Sequence, residues 1–216
     1  VKGPAWVTTT THLGTDQLAL ADRHWILHSL SEVDPARFLD QKVTLLTGEV
    51  TPDNRVKGPE PKILQTLAAE ASRLGVSLLV EADGARSHPL KAPAEHEPVI
   101  PSWVDTVIVV AGLSVLGKPL TAEWVHRPER FSQLSGIKPG EPVTLNGIIR
   151  MMIDPLGGLK GITPGMKKIA LFNQADQASL SQEEESELEV LLDRYDLVLV
   201  ASLGHDPDHV RTFSRN

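Results

Sequence analysis

The stretch Val76-Ser77-Leu78-Leu79-Val80-Glu81-Ala82-Asp83-Gly84 joins an apolar run directly to two carboxylates and a glycine. A run this dense in apolar residues is typical of a parallel strand that is covered on both faces. Upstream of it, apolar residues recur at helical spacing from Ile63 to Leu74, with Pro61 suited to the first helical turn and Gly75 to the C-terminal end. A helix that leads into a buried strand indicates an α/β fold.

Further apolar runs repeat this pattern along the chain, at residues 104–110, 169–172 and 197–200. A shorter β-rich run occupies residues 43–47, and the opening run 6–11 is typical of a strand in the middle of a sheet. Because predicted helices alternate with the strands, we expect a three-layer α/β arrangement around a mainly parallel sheet. We expect the three runs above and the strand at 76–80 to share that one sheet.

Two segments depart from this alternation. Residues 48–61 are rich in Pro, Gly, Asp and Asn, which predicts a mobile loop. Residues 121–164 contain a helical run at 145–153, with Thr144 as its cap, and we interpret the whole segment as a mostly helical insertion. The chain, residues 1–216, is predicted to form a single domain.

The composition narrows the classes of function. A net charge of −7 argues against nonspecific nucleic-acid binding, which depends on neutralising phosphates. The absence of cysteine excludes disulfides, thiolate metal sites and a cysteine nucleophile. No apolar run approaches the roughly 20 residues that span a bilayer, and no signal peptide is visible. We therefore predict a cytoplasmic protein with neither a nucleic-acid nor a membrane partner.

Two carboxylates mark the end of the strand at 76–80, where ligands bind in parallel α/β sheets. Glu81 and Asp83 follow the apolar run as in a Walker B strand, whose carboxylate holds Mg²⁺. Residues two apart on a strand point to the same face, so we predict that both carboxylates are metal ligands and catalytic groups. The alternative is a solvated strand end, at which Arg86 balances the charge.

A second group of polar residues follows the strand at 169–172. The sequence Asn173-Gln174-Ala175-Asp176 resembles the Asn-Lys-x-Asp motif with which GTPases read guanine, with Gln174 in place of the lysine. In that motif the aspartate carboxylate accepts hydrogen bonds from the ring N–H and the amino group of guanine. We therefore predict that Asn173 and Asp176 bind a base, and the alternative is ordinary turn chemistry.

The segment Gly112-Leu-Ser-Val-Leu-Gly117-Lys118-Pro119 is a near match to the Walker A phosphate loop. The motif requires Ser or Thr after the lysine, and Pro119 has no hydroxyl for Mg²⁺. Its intervening residues are bulky, whereas a phosphate loop uses small ones. We therefore reject this segment as a phosphate loop, and these 216 residues contain no other match.

Two charged segments lie elsewhere in the chain. Lys91, His96 and two glutamates lie in a loop bounded by prolines, and residues 126–129 read His-Arg-Pro-Glu. The loop either binds a metal or an anionic ligand through Lys91, or forms a rigid surface. Residues 126–129 form either an anion site or an ion-pair cluster at the start of a helix. The spacing fits no zinc site.

Several of these segments carry a family resemblance. The blocks VTTTTH (7–12), VEADGARSHPLKAPAEHEPVIP (80–101), VVAGLSVLGKPL (109–120), VHRPERF (125–131) and FNQAD (172–176) occur in this order. They resemble the selenium-dependent molybdenum hydroxylase accessory protein family (YqeC-type) over nearly the whole chain. The resemblance implies a P-loop NTPase-like fold and a role in the maturation of molybdenum enzymes.

The resemblance also implies roles for individual residues. Thr8, Thr10 and Thr11 would lie near the γ-phosphate and Mg²⁺ of a bound GTP or ATP. Lys91, His96 and Arg127 would face a molybdopterin cofactor or a partner, such as the apo-hydroxylase or another maturation protein. Members of the family normally begin with a Gly-Lys-Thr-Thr loop and a helix before the threonine run. We expect that phosphate-loop unit to precede Val1, which leaves NTPase activity of this polypeptide open. The alternative function is a non-hydrolysing scaffold that binds the cofactor or the apo-hydroxylase.

Overall fold

A computed structural model describes residues 3–39, 42–178 and 180–215. The chain, predicted above to be a single domain, divides by its internal contacts into two compact units. The first unit contains the residues up to Gly84 together with Val99–Trp103, and the second contains Ala85–Pro98 and the residues from Val104 onward. Each unit has α/β architecture with mostly parallel strand pairs.

The first unit is built on a four-stranded parallel sheet with the order β3-β4-β1-β6. Its strands are β1 (Ala5–Thr9), β2 (His12–Gly14), β3 (Arg23–Ile26), β4 (Val43–Thr47), β5 (Arg55–Lys57) and β6 (Ser77–Glu81), and its helices are α1 (Pro35–Phe38) and α2 (Pro61–Leu74). The opening run of the chain therefore forms an internal strand, as predicted, with β4 and β6 on its two sides.

Helix α2 begins and ends where the local sequence predicts. Pro61 occupies the first turn, and Gly75 caps the C-terminal end with a φ of 66°, a conformation that glycine adopts at little cost. Ile63 and Leu67 of the helix are buried in one cluster with Trp6 of β1. The Trp6 indole N–H donates to the carbonyl of Phe38 at 3.1 Å, so the largest buried side chain of this cluster is also fixed by a hydrogen bond.

The predicted mobile loop at residues 48–61 is more ordered than expected. It contains β5, which pairs antiparallel with β2, and its Gly48 N–H donates to Lys57 at 2.9 Å. The high content of turn-forming residues indicated a loop, but that content does not exclude a strand that pairs with a distant segment. The pairing holds this segment against the residues that follow β1.

Gly58 in this segment approaches the backbone of β1 too closely for any side chain. A Cβ atom at Gly58 would lie 2.0 Å from the Thr9 carbonyl oxygen. We expect Gly58→Ala to lower the free energy of unfolding by about 2 kcal/mol, because the backbone must shift to accept the methyl group. Chemical denaturation measures this change, with Gly204→Ala as the control because its added Cβ meets open space. Equal losses in the two variants would contradict the close approach.

The second unit is built on a sheet with the order β12-β11-β10-β8, in which only the β11–β12 pair is antiparallel. Its strands are β7 (Leu90–Lys91), β8 (Thr106–Gly112), β9 (Val125–His126), β10 (Lys167–Asn173), β11 (Leu197–Ser202) and β12 (Asp206–Phe213), and its helices are α3 (Pro128–Ser135), α4 (Leu145–Ile153) and α5 (Gln182–Leu188). The short strands β7 and β9 form a separate parallel pair.

Helices α3 and α4 lie within residues 121–164, the segment interpreted as an insertion. Helix α4 has the predicted bounds, and the Thr144 side chain accepts a hydrogen bond from the Gly147 N–H at 3.2 Å. Phe131 of α3 and Ile148 of α4 are fully buried in the same cluster as Phe172 of β10. These helices therefore complete the core of the second unit.

The four strands predicted to share one sheet divide between two. The predicted strands exist as β6, β8, β10 and β11, but β6 belongs to the sheet of the first unit and the others to that of the second. Among the described residues, the prediction of one hydrogen-bonded sheet is therefore wrong. Apolar runs locate strands because burial requires them, but the run itself does not encode which neighbour each strand pairs with.

The described residues also bear on the membrane prediction. None of the helices among them combines the length and the apolar character that a bilayer span requires.

Candidate functional site

The candidate site of the first unit lies where the adjacent parallel strands β1 and β6 end. Thr9, the last residue of β1, is paired in register with Glu81, the last residue of β6. Beyond these residues the chain continues as Thr10 and Thr11 on one side and as Ala82–Gly84 on the other. Polar residues from two segments about 70 positions apart in the chain are thereby brought together.

Thr9 is the centre of the hydrogen-bond network at this edge. Its hydroxyl donates to the Glu81 carbonyl at 3.0 Å and accepts from the Thr11 N–H at 2.9 Å. The Thr11 hydroxyl lies 3.0 Å from the Thr9 hydroxyl. Because a hydroxyl has one proton and Thr9 gives its own to Glu81, Thr11 is the donor in this contact. The lone pairs of the Thr11 hydroxyl therefore remain to accept from a ligand or to bind a cation.

Thr10, the residue after β1, is also held by hydrogen bonds. Its N–H donates to the Glu81 carbonyl at 3.0 Å, and its hydroxyl donates to the Val99 carbonyl at 2.7 Å. Thr8 differs from both, because it is fully buried and its hydroxyl has no hydrogen-bond partner among the described residues. Thr10 and Thr11 are thus the half-buried members of the run, whereas Thr8 lies inside the unit.

Gly84 leaves room for the Glu81 carboxylate. A Cβ atom at Gly84 would lie 2.8 Å from Glu81 Oε1 and 3.9 Å from the Thr11 hydroxyl oxygen. The carboxylate and the hydroxyl are therefore near the same glycine, and a larger residue there would displace the carboxylate. Oxygen ligands of these two kinds are the ones that Mg²⁺ prefers, so the residues fit this ion.

Asp83 does not lie on the strand. Strand β6 ends at Glu81, so Asp83 does not share a strand face with Glu81, and the prediction that both carboxylates lie on one face of the strand is wrong. Asp83 is half-buried in the irregular segment that follows. The described residues contain no group of three or more His, Asp or Glu side chains able to hold a metal. A magnesium ion here would therefore take its other ligands from phosphate and water, as this ion commonly does.

The candidate base-reading loop follows β10 in the second unit. The Asn173 side-chain oxygen accepts from the Leu203 N–H at 3.0 Å, which ties the loop to the end of β11. Gln174 has a φ of 63°, and its side-chain oxygen accepts from the Ser114 hydroxyl at 2.7 Å. Asp176 is exposed to solvent. Hydrogen bonds from Leu203 and Ser114 thus fix the loop, while the side chain of Asp176 remains accessible to a ligand.

A cavity of about 200 Å³ lies beside this loop. Its lining includes Ala175 of the loop, Ser202 of β11 and the side chains of His205 and Arg211. The cavity is therefore bounded by polar groups on the side that β11 and β12 form.

Three charged residues of the second unit form a tight ion-pair group. The Arg127 guanidinium binds the Glu97 carboxylate with both terminal nitrogens, at 2.7 and 3.2 Å. Lys91 Nζ lies 3.0 Å from the same carboxylate, and its side chain is only 7% exposed. The Ala94 N–H donates to it as well, at 3.0 Å. The two cations that were predicted to face a cofactor or partner thus converge on Glu97.

The ion pairs control the pKa of Glu97. Burial by itself would raise this pKa, but the hydrogen bonds from Arg127, the Ala94 N–H and Lys91 outweigh it and lower the pKa from 4.5 to about 2. Glu97 is therefore ionised at neutral pH. His96 is 80% exposed, with its Nε2 atom 3.9 Å from Glu97, so it lies at the surface of the group.

The segment from Gly112 to Pro119 does not have the form of a phosphate loop. The N–H groups of Leu116, Gly117 and Lys118 donate to protein carbonyls at 2.9 to 3.0 Å, so they are not directed at a ligand. The Lys118 ammonium packs over the Trp124 ring, 4.8 Å from its centroid. The observed contacts agree with the rejection of this segment.

We expect Lys118→Ala to leave the affinity for Mg²⁺–GTP and Mg²⁺–ATP within about twofold of the parent value, roughly 0.4 kcal/mol. The physical reason is that Lys118 contacts an aromatic ring and its loop amides are already bonded. A titration with fluorescent nucleotides measures the affinity. A tenfold loss would mean that this segment is a working phosphate loop.

The positions of Thr9 and Glu97 at the centre of these contacts were not visible in the sequence. Thr9 is one of four consecutive threonines, and the sequence does not show which of them lies beside Glu81. The register of β1 against β6 places Thr9 there. Glu97 was noted as one of two glutamates beside a histidine, but nothing local indicated that Arg127, 30 positions away, would bind it.

Comparison with known proteins places the chain in a family. The sequence model of the family described as YqeC protein matches residues 2–129. The chain is 30% identical over 212 residues to the "Uncharacterized protein YqeC" of Escherichia coli (strain K12), an alignment that covers 94% of this chain and 77% of that protein. No solved structure matches the chain. The family match covers more than half of the chain and includes β1, β6 and the Lys91–Glu97–Arg127 group, so this chain belongs to the YqeC family.

Proposed function

We propose that this protein binds a Mg²⁺–nucleotide, GTP or ATP, and acts as an accessory protein in the insertion or modification of the molybdenum cofactor of selenium-dependent molybdenum hydroxylases. The observation that carries the nucleotide proposal is the grouping of Thr11, Glu81 and Gly84 at the ends of β1 and β6. The molybdenum context rests on the sequence blocks that resemble the accessory family. The proposed partners are the apo-hydroxylase and other cofactor-maturation proteins.

In this proposal the first unit holds the metal and the phosphates. The Thr11 hydroxyl, Glu81 and Asp83 supply oxygen ligands to Mg²⁺, while Thr10 fixes the end of β1 through its bond to Val99. The bound Mg²⁺ would neutralise charge on the phosphates. Glu81 and Asp83 are also the candidates for orienting a water molecule if the nucleotide is hydrolysed.

For the second unit by itself, we assign the binding of a guanine base to the loop that follows β10. Asn173 braces the loop against the end of β11, and the exposed Asp176 carboxylate accepts two hydrogen bonds from a guanine edge. Adenine presents no such pair of donors, so the assignment predicts a preference for GTP.

We expect Asp176→Asn to weaken GTP binding at least tenfold, about 1.4 kcal/mol, and to change ATP binding by less than twofold. The amide can no longer accept both hydrogen bonds from guanine. Competition titrations with the two Mg²⁺–nucleotides measure the ratio, with Asp206→Asn as a control for the loss of one nearby charge. Equal effects on GTP and ATP would remove Asp176 from a base-reading role.

A second function, that of a non-hydrolysing scaffold for the molybdenum cofactor, is favoured by the cation group at Lys91 and Arg127. These residues suit an anionic pterin phosphate better than they suit a metal. Titration with GTP, ATP and molybdopterin separates the two functions. A scaffold binds the pterin and ignores both nucleotides, whereas the leading proposal requires Mg²⁺-dependent nucleotide binding.

A further inference from the structure

Thr9, Thr10 and Thr11, at the end of β1, use their hydroxyl protons within the protein. Thr9 donates to the Glu81 carbonyl at 3.0 Å, and Thr10 donates to the Val99 carbonyl at 2.7 Å. Thr11 donates to the Thr9 hydroxyl oxygen at 3.0 Å, because the single proton of Thr9 is already given to the carbonyl. A ligand that reaches the hydroxyl of Thr10 or Thr11 therefore meets oxygen lone pairs.

The backbone N–H groups of Thr10 and Thr11 also have acceptors within the protein. The Thr10 N–H donates to the Glu81 carbonyl at 3.0 Å, and the Thr11 N–H donates to the Thr9 hydroxyl oxygen at 2.9 Å. Phosphate oxygens are acceptors, and proteins bind them through N–H and O–H donors. In the described part of the chain, these two residues thus direct their donors at protein atoms, and their lone pairs suit a cation.

Thr9 controls this arrangement from inside the unit. Its side chain is fully buried, whereas Thr11 is half-buried. Thr9 holds Thr11 at two points, because its oxygen accepts from both the N–H and the O–H of Thr11. The proton of the Thr11 hydroxyl is thereby kept in the contact with Thr9. Thr9 is itself placed by its register with Glu81 in the β1–β6 pair.

The Thr11 hydroxyl lies near a second oxygen group that suits a metal ion. A Cβ atom at Gly84 would lie 3.9 Å from the Thr11 hydroxyl oxygen and 2.8 Å from Glu81 Oε1, so both oxygens approach the same point. Hard divalent cations take carboxylate and other neutral oxygens as ligands. The direction of the Thr11 proton therefore decides whether its hydroxyl can join such a ligand set.

We propose that Thr9 is a positioning residue, which makes Thr11 a ligand of a hard divalent cation and prevents it from donating to phosphate. The inference rests on the proposed Mg²⁺–nucleotide site and specifies how that site is built. The segment after β1 contacts the metal, and the phosphates are held there through the metal. The contribution of this segment to nucleotide binding therefore exists only while the cation is bound.

Thr9→Val tests the positioning role, because valine has a similar branched shape and no oxygen to accept from Thr11. The freed Thr11 proton can then point at the cation. Mn²⁺, followed by electron paramagnetic resonance with and without GTP, is the probe. Its affinity is expected to fall about tenfold in Thr9→Val and to recover in Thr9→Ser, which restores the acceptor. The affinity for GTP in EDTA should be the same in the parent and both variants.

Thr44→Val is the matched control for lost stability. Thr44 is a fully buried threonine of the same sheet, and its hydroxyl also donates to a backbone carbonyl, that of Phe38 at 3.1 Å. Thr9→Val and Thr44→Val should both lower the melting temperature, but only Thr9→Val should weaken Mn²⁺ binding. Equal losses of Mn²⁺ affinity in the two variants would mean a general effect on the fold and would overturn the positioning role.

A thiolate at position 11 separates the direction of the proton from the other effects of Thr9. The chain has no cysteine, so Thr11→Cys introduces a single thiol. A metal-bound thiolate carries no proton and prefers a soft cation such as Cd²⁺, whose binding is followed by thiolate absorption. Adding Thr9→Val to Thr11→Cys should change Cd²⁺ affinity by less than about threefold. A tenfold loss there would mean that Thr9 acts by packing and not through the Thr11 proton.

The possible outcomes separate this inference from the nucleotide proposal. If GTP does not bind but Mn²⁺ does, with the expected loss in Thr9→Val, the inference stands and the nucleotide proposal fails. If Mn²⁺–GTP binds equally well to the parent and to Thr9→Val, the nucleotide proposal stands and the inference fails. A parent protein that binds Mn²⁺ neither alone nor with GTP overturns the inference as well.

Discussion

Glu97→Gln is expected to lower the free energy of unfolding by about 3 kcal/mol at pH 7. The glutamine is nearly the same size, so packing is kept, but Lys91 and Arg127 lose the carboxylate that both of them bind. The lost ion pair matters most at Lys91, because its side chain is only 7% exposed and water replaces the carboxylate poorly there. Denaturant unfolding followed by circular dichroism measures the loss.

The loss of unfolding free energy in Glu97→Gln is expected to depend on pH. The Glu97 pKa is lower in the folded protein, about 2, than its ordinary value of 4.5. Its contribution to stability is therefore complete above about pH 4.5 and is lost as the pH falls through about 2. The difference in unfolding free energy between the parent and Glu97→Gln should shrink over that interval.

Glu95→Gln is the matched control, since Glu95 is an exposed glutamate two positions away in the same loop. It is expected to change the unfolding free energy by less than about 0.5 kcal/mol. If the loss in Glu97→Gln is as small as in this control, or stays constant down to pH 2, the ion-pair group does not stabilise the second unit.

Asp83→Asn is expected to weaken Mg²⁺–GTP binding by about 100-fold, or about 2.7 kcal/mol. Asp83 follows Glu81 by two residues, and in the proposed site both carboxylates approach one magnesium ion. The rise in melting temperature that Mg²⁺–GTP confers should be lost in the variant. The melting temperature of the ligand-free variant, compared with that of the parent, measures what Asp83 contributes through contacts within the protein.

Thermal melts of the parent and Asp83→Asn, with and without Mg²⁺–GTP, measure both effects. Glu123→Gln removes an exposed carboxylate of the second unit and should leave the ligand-induced shift unchanged. If a cation of the protein is the true partner of Asp83, the variant will lose stability without ligand as well. An unchanged ligand-induced shift would remove Asp83 from the metal site.

The strands and the main helices were predictable because their signals are local. The apolar runs became β6, β8, β10 and β11, with ends shifted by at most two residues. Pairing was not predictable in the same way. The segment 48–61 was expected to be mobile, yet β5 within it pairs with β2, because strand pairing depends on which distant segment lies alongside.

The candidate site of the first unit was predicted in part. Glu81 at the end of an apolar strand was visible in the sequence, and the threonine run was predicted to belong to the opening strand. The hydrogen bonds of Thr9 to Glu81 and Thr11 were not visible, because they require the register of β1 against β6.

The sequence by itself located the strands β6, β8, β10 and β11 to within two residues, together with helices α2 and α4, because burial and capping act over a few neighbouring residues. Pro61, Gly75 and Thr144 are examples, since each satisfies or ends a helix through its own backbone or side chain. Only the tertiary structure decided that Lys91 and Arg127 share the carboxylate of Glu97. Ion pairing depends on distance in space, and no local pattern encodes which of two well-separated loops will meet.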